Sequence, residues 1–121
     1  MNKVTLIGRI TKDLELKHIG EKNTANVKFN LAVDNYENGQ KGADFIPVTV
    51  WGKQAENLCK YCGKGSQIAV NGALKIRSDD KDGVKKYITE VLADNFNGIE
   101  FLSKSNSAGE SNSNTGNSEY D

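Results

Sequence analysis

The sequence predicts an all-β domain: five strands forming a barrel, with one short helix between the third and fourth strands. Three observations predict it. Residues 25–33 alternate with period two, Val27, Phe29, Leu31 and Val33 on one face and Lys28 and Asn30 on the other, the pattern of a half-buried strand. Other short runs of β-forming residues are separated by Gly-, Asn- and Asp-containing steps. Only residues 54–62 carry a helical stripe, with Ala55, Leu58, Cys59 and Cys62 at i, i+3, i+4 and i+7.

In chain order, Val4, Leu6 and the Ile7-Gly8-Arg9-Ile10 stretch form a first strand. Residues 13–19 are a shorter, more polar extended piece closing at Gly20-Glu21-Lys22-Asn23. The alternating strand follows, then a polar loop over 34–43 with Asn-Gly and Lys-Gly steps, then a dense β-forming run over 45–51. Gly63-Lys64-Gly65 stops the helix, because glycine ends helices at little steric cost. A long strand over 67–77, a turn over 78–83 and a strand over 85–96 complete the domain. Five strands with a helix in that slot have the order of an OB-fold barrel.

The composition changes at Leu102. Residues 103–121 hold six Ser, four Asn and two Gly, with Tyr120 as the one large apolar group. Such a segment buries too little apolar surface to offset the entropy of ordering it, and a disordered tail is expected there. Domain and tail divide at 102/103. The chain of 121 residues has 16 basic and 16 acidic side chains. Removing Lys104, Glu110, Glu119 and Asp121 leaves 15 basic and 13 acidic ones in residues 1–102, so the neutral total hides a slightly basic domain. The sequence contains neither a membrane-length apolar run nor a secretory start, and a cytoplasmic protein is expected.

Enzyme chemistry finds little support. Cys59-Lys60-Tyr61-Cys62 is a C-x-x-C, but a redox motif needs a βαβ context and a zinc site needs two further ligands. The one histidine, His18, is far away in sequence, and the helical stripe accounts for both cysteines as small buried groups. Asp79-Asp80-Lys81-Asp82-Gly83 lacks the spacing of a calcium loop and reads as a hairpin turn. No nucleophile has an obvious base, and no phosphate-binding glycine loop occurs. No catalytic residue, metal or cofactor is expected.

What remains is aromatic residues among cations. Tyr36 lies in the polar loop, Phe45 starts the next strand and Trp51 ends it just before Lys53; Tyr87 follows Lys85 and Lys86. Flat aromatic faces stack unpaired bases and cations follow phosphates, the two requirements of single-stranded nucleic-acid binding. OB-folds bind on the face of their second and third strands, where Tyr36, Phe45 and Trp51 fall. Periodicity does not settle the face of Trp51, since Phe45, Val48 and Val50 do not share one parity.

These residues resemble the bacterial single-stranded-DNA-binding protein (SSB) family, in the small form of Gram-positive bacteria and their phages. The resemblance is carried by Met1-Asn2-Lys3-Val4, Leu6-Ile7-Gly8-Arg9-Ile10-Thr11-Lys12-Asp13, Phe29-Asn30-Leu31-Ala32-Val33 and Asp44-Phe45-Ile46. It continues through Trp51-Gly52-Lys53-Gln54-Ala55-Glu56-Asn57, Lys64-Gly65-Ser66, Val70-Asn71-Gly72 and Tyr87-Ile88-Thr89-Glu90-Val91. It implies an OB-fold, a homotetramer and sequence-tolerant coating of single-stranded DNA in replication, recombination and repair, in a bacterial or phage-infected cell. It further implies that Tyr36, Phe45 and Trp51 stack on bases and that Arg9, Lys53 and Arg77 lie near the DNA path. Lys28, Lys75, Lys85 and Lys86 are electrostatic candidates from strand placement alone.

The sequence departs from the family in three places. Ile76-Arg77-Ser78-Asp79-Asp80 lacks the aromatic usual in the family just after the Thr-Arg or similar pair of the fourth strand, which predicts weaker binding per protomer or an altered DNA path. Leu14 follows Asp13 where proline is common. The ending Asn117-Ser118-Glu119-Tyr120-Asp121 lacks the acidic Pro-Phe terminus that recruits replication and repair enzymes, so tail-borne protein partners are expected to be weakened. Three alternatives stand beside this reading: an OB-fold protein-interaction module of a replication complex with weak DNA binding, an RNA-binding OB domain, and a C-x-x-C oxidoreductase.

Overall fold

Alternating apolar residues decide which side of each strand turns inward, and in the computed structural model, which describes residues 1–102, those inward sides close on one another. The elements are β1 (Val4–Ile10), β2 (Lys17–Ile19), β3 (Thr24–Glu37), β4 (Gln40–Trp51), α1 (Lys53–Tyr61), β5 (Gln67–Lys81), β6 (Val84–Ala93) and β7 (Ile99–Phe101). Five of them form the barrel. β1 pairs antiparallel with β3 and with β5, β3 with β4, and β5 with β6; the parallel pairing of β4 with β6 completes the ring. The short β2 and β7 extend β3 and β5 at the sides. The helix lies between the third and fourth barrel strands, as predicted.

The core is made of Ile10, Val27, Phe29, Leu31, Val48, Val50, Ile68, Val70 and Val91, with Ala55 and Leu58 of α1 packed onto the same cluster. Fully burying a Val, Leu or Ile side chain contributes about 1.5–3 kcal/mol, so this cluster sets the register of every strand it touches. Gly52 starts the helix at φ 79°, a left-handed conformation, and its carbonyl accepts from Ala55 and Glu56 at 2.9 and 3.2 Å. Gln54 then ties the helix to the turn before β7. Its Nε2 donates to the Asp94 carbonyl at 2.7 Å, and its Oε1 accepts from the amides of Gly98 and Ile99 at 2.8 and 3.0 Å.

Several boundaries differ from the sequence expectation. Residues 34–43 are not a loop: β3 and β4 run on as a paired hairpin arm to Glu37 and Gln40, so Tyr36 sits on a strand. Only Asn38 and Gly39 turn, at φ 54° and 77°, the positive pair that a two-residue turn between twisted strands requires. Likewise residues 78–81 continue β5, and the turn reduces to Asp82 and Gly83 at φ 52° and 77°. Both arms project past the core, so neither face need be apolar, and a polar strand has the composition of a loop. The piece over 13–19 is a strand only at β2, the last barrel strand ends at Ala93 and not at Phe96, and β7 is additional. The tail expected over 103–121 lies outside the described residues.

Closing the barrel brings backbones together at two glycines. A Cβ on Gly8 would collide with the Ala32 carbonyl oxygen where β1 leaves β5 for β3, and one on Gly72 would collide with the Leu92 carbonyl oxygen. Backbone cannot yield as a flexible side chain can. Gly8→Ala is expected to cost about 2–3 kcal/mol, read as a lowered midpoint in thermal or urea unfolding; an unchanged midpoint would show that the β1–β3 junction relaxes freely.

Candidate nucleic-acid interface

With Val48 and Val50 held in the core, the odd-numbered residues of β4 must face outward, and cross-strand pairing puts the even-numbered residues of β3 beside them. Trp51 stands opposite Asn26, Lys28 opposite Thr49, Phe45 opposite Ala32, and Tyr36 opposite Lys41. Tyr36 is 72% exposed and Phe45 63%, while Trp51 is half-buried. Tyr36, Phe45, Trp51 and Lys28 therefore share one face. At about 3.4 Å per residue, Phe45 lies roughly 13 Å along the arm from the Tyr36–Lys41 pair and roughly 20 Å from Trp51.

Arg9 joins this face from β1. It pairs with Ala32, which pairs with Phe45, so the three make one row across adjacent strands. The guanidinium Nη1 donates to the Gly65 carbonyl at 2.9 Å. On the far side of β4 the parallel β6 brings Glu90 to Thr49, whose Oγ1 donates to Oε1 at 3.2 Å. Arg77 pairs with the other carboxylate oxygen, Nε to Oε2 at 3.4 Å. Thr49, Glu90 and Arg77 form a chain in which a largely buried carboxylate orients a half-exposed cation. Lys75 is directly opposite Glu90. Glu90 stands in a stretch that carries the resemblance, but its orienting role is not legible there, because it comes from a parallel pairing between distant strands.

The other candidates are more scattered. Lys53, in the first turn of α1, pairs with Glu56 at 3.7 Å. Lys85 and Lys86 each stand opposite a carboxylate, Asp80 and Asp79, so the tip of the β5–β6 arm is nearly neutral. They are neighbours on a strand and point to opposite sides; Tyr87, 69% exposed, goes with Lys85, away from the face that carries Lys75, Arg77 and Lys86. Among the described residues no group of three or more His, Cys, Asp or Glu is gathered as a metal site, and no helix is long and apolar enough to cross a membrane.

Cys59 and Cys62 pack against the rim of the core, and burial pushes both thiols above their usual range; for Cys62 a hydrogen bond with Ser66 works the other way. A raised thiol holds less thiolate near neutrality, the reverse of what a reactive cysteine needs. Alkylation by iodoacetamide at pH 8 is accordingly expected to run slower than for free cysteine and to accelerate only at higher pH; equal rates would contradict this account. For Glu90, replacing the carboxylate by an amide removes a negative charge from the outer face and frees Arg77. Glu90→Gln is expected to tighten binding of a single-stranded oligonucleotide several-fold at low salt, measured by titration, with the gain vanishing at high salt.

Comparison with known proteins bears on the family and the fold. The model of the single-strand binding protein family matches residues 1–99. Single-stranded DNA-binding protein 2 of Clostridium acetobutylicum is 50% identical over 109 residues, spanning 88% of this chain and 82% of that protein. The single-stranded DNA-binding protein of Clostridium tetani is 48% identical over 110 residues, spanning 88% of this chain and 76% of that one. Among solved structures, a Plasmodium falciparum SSB complex with ssDNA superposes with a TM-score of 0.73 at 27% identity, covering 84% of this chain and 95% of that chain.

Proposed function

The chain belongs to the single-strand binding protein family, and from that premise we propose that it binds single-stranded DNA along the outer face of the β3–β4 hairpin. The observation that carries the proposal is the alignment of Tyr36, Phe45 and Trp51 on one face, with Lys28 and Arg9 beside them. Unpaired bases stack on the three rings; paired bases hide their faces, which makes the binding selective for single strands. Stacking needs only a π-face, so it tolerates any sequence, and on OB-fold binders of this kind each stacked base contributes about 1–3 kcal/mol. Lys28, Arg9, Arg77, Lys75 and Lys86 follow the phosphates, with Lys53 and Lys85 at the margins. The role is stoichiometric. The protein coats displaced strands, keeps them from re-pairing and shields them during replication, recombination and repair in the cytoplasm.

A homotetramer fits the same picture. β1 meets β3 only at Arg9 and Ile10, so the edge of Val4–Gly8 that faces away from β5 has no partner among the described residues, and Ile7 beside it is 54% exposed. An open edge with exposed apolar residues favours association with a second copy. One observation favours the rival reading of an interaction module with weak DNA binding: the neutral β5–β6 tip carries Asp79 and Asp80 and no stacking ring on β5. The three exposed or half-exposed rings of the other arm favour DNA.

Trp51 is the one tryptophan, so its fluorescence reports the face directly. Oligo-dT is expected to quench it, duplex DNA to leave it unchanged, and affinity to fall with salt with a slope of about −0.7 per phosphate neutralised. Phe45→Ala is expected to weaken binding by about 1–3 kcal/mol with little change in thermal stability, because the ring is exposed in the free protein. Absence of binding in the titration and in an independent gel-shift assay would move the assignment to the interaction module.

A further inference from the structure

The outer face holds a feature that stacking does not use. Between β2 and the start of β3 lies a cleft of about 180 Å³ lined by Glu15, Lys17, Ile19, Asn26 and Lys28. Drug-sized sites occupy roughly 300–1,000 Å³, so this one suits a single heterocycle. Its inner residue is Asn26, which is 1% exposed and whose side-chain Nδ2 has no hydrogen-bond partner. Most buried polar atoms in folded proteins have a partner, and an unpaired amide donor at the edge of a ligand surface is an exception that asks for an acceptor. Pairing puts Lys17 on one side of Asn26 and Trp51 on the other, all on one face. Lys17 at the rim is exposed and has no ion pair among the described residues.

We propose that this cleft takes the edge of one pyrimidine base of the bound strand, with Asn26 Nδ2 donating to a ring carbonyl oxygen while the neighbouring base surface meets Trp51. The proposal rests on the single-stranded DNA reading above and adds a preference at one position of an otherwise sequence-tolerant path. The chemistry of the lining selects this occupant. Glu15 opposes a phosphate but accepts hydrogen bonds from thymine N3–H or the cytosine amino group. Thymine, cytosine and guanine carry carbonyl oxygens that project beyond the ring and reach a recessed donor, while adenine has none; the small volume of the cleft favours the single ring of a pyrimidine over guanine. Lys17 and Lys28 at the rim are placed for the flanking phosphates.

The test compares the wild-type protein with Asn26→Ala and Asn26→Asp, bound to short oligo-dT, oligo-dA and an abasic oligomer of equal length, with unfolding midpoints taken alongside. General pyrimidine preference from stacking and backbone flexibility is common to all three proteins, so only the change between them bears on Asn26. Binding of oligo-dT is expected to weaken about three- to tenfold in Asn26→Ala, with oligo-dA and the abasic oligomer unaffected, whereas Asn26→Asp adds a charge beside the phosphates and weakens all three, oligo-dT most. A second measurement needs no variant: in the wild-type protein the Asn26 side-chain amide resonances should shift with oligo-dT and stay in place with the abasic oligomer. Equal losses on all three oligomers would assign Asn26 to a phosphate contact or to the fold and overturn the proposal. Quenching of Trp51 by oligo-dT with the Asn26 resonances unmoved would also overturn it, leaving single-stranded DNA binding intact. Failure of the wild-type protein to bind any oligomer would instead remove the reading on which it rests.

Discussion

The arrangement of the outer face depends on one constraint, the two-residue period of β3 and β4. Once Val27, Phe29, Leu31, Val48 and Val50 enter the core, every residue between them must face solvent or the next strand. A one-residue slip of either strand would bury Lys28 or Phe45 and expose valines. The cost would be several side-chain burials, and Lys28 would be a charge without a partner. The hydrophobic core and the surface that carries the aromatic rings are thus specified by the same alternation. This explains how three separated aromatic residues come to share a face without any local sequence motif.

Electrostatics refines that face without dominating it. A chain with equal numbers of acidic and basic side chains has no strong field at long range, so recognition depends on where each charge is held. Arg9 is oriented by the Gly65 carbonyl and Arg77 by Glu90, while Lys28 carries no ion pair among the described residues. The β5–β6 arm offers the opposite case. Lys85 and Lys86 face aspartates in register, and β5 carries no aromatic residue there. The two arms differ in stacking area: Tyr36 and Phe45 lie on the outer face of the β3–β4 arm, whereas β5 carries no ring on the other.

The order of strands and helix was legible because core-facing segments alternate visibly and the helix stripe is unique. The arms were not, for a physical reason: beyond the core both faces of a strand are polar, so residues 34–37 and 78–81 lose the signal that marks a strand. Asn38-Gly39 and Asp82-Gly83 do carry the signature of two-residue turns, and read as such they would have extended both hairpins. The roles of Glu90 and Asn26 were not legible for another reason: Glu90 matters because β6 lies parallel to β4, and Asn26 because β2 and Trp51 enclose it from both sides.

By itself the sequence determined the class of the fold, the position of its helix, the residues of the core and the kinds of side chain available for binding, because burial and periodicity are local properties of the chain. Only the tertiary structure decided which face Trp51 shares, that Arg9 and Phe45 stand in one row, that Arg77 is oriented by Glu90, and that Lys85 and Tyr87 turn away from the other cations. Those facts follow from strand register and barrel closure. Both are settled by contacts between residues far apart in sequence, where no local pattern can reach.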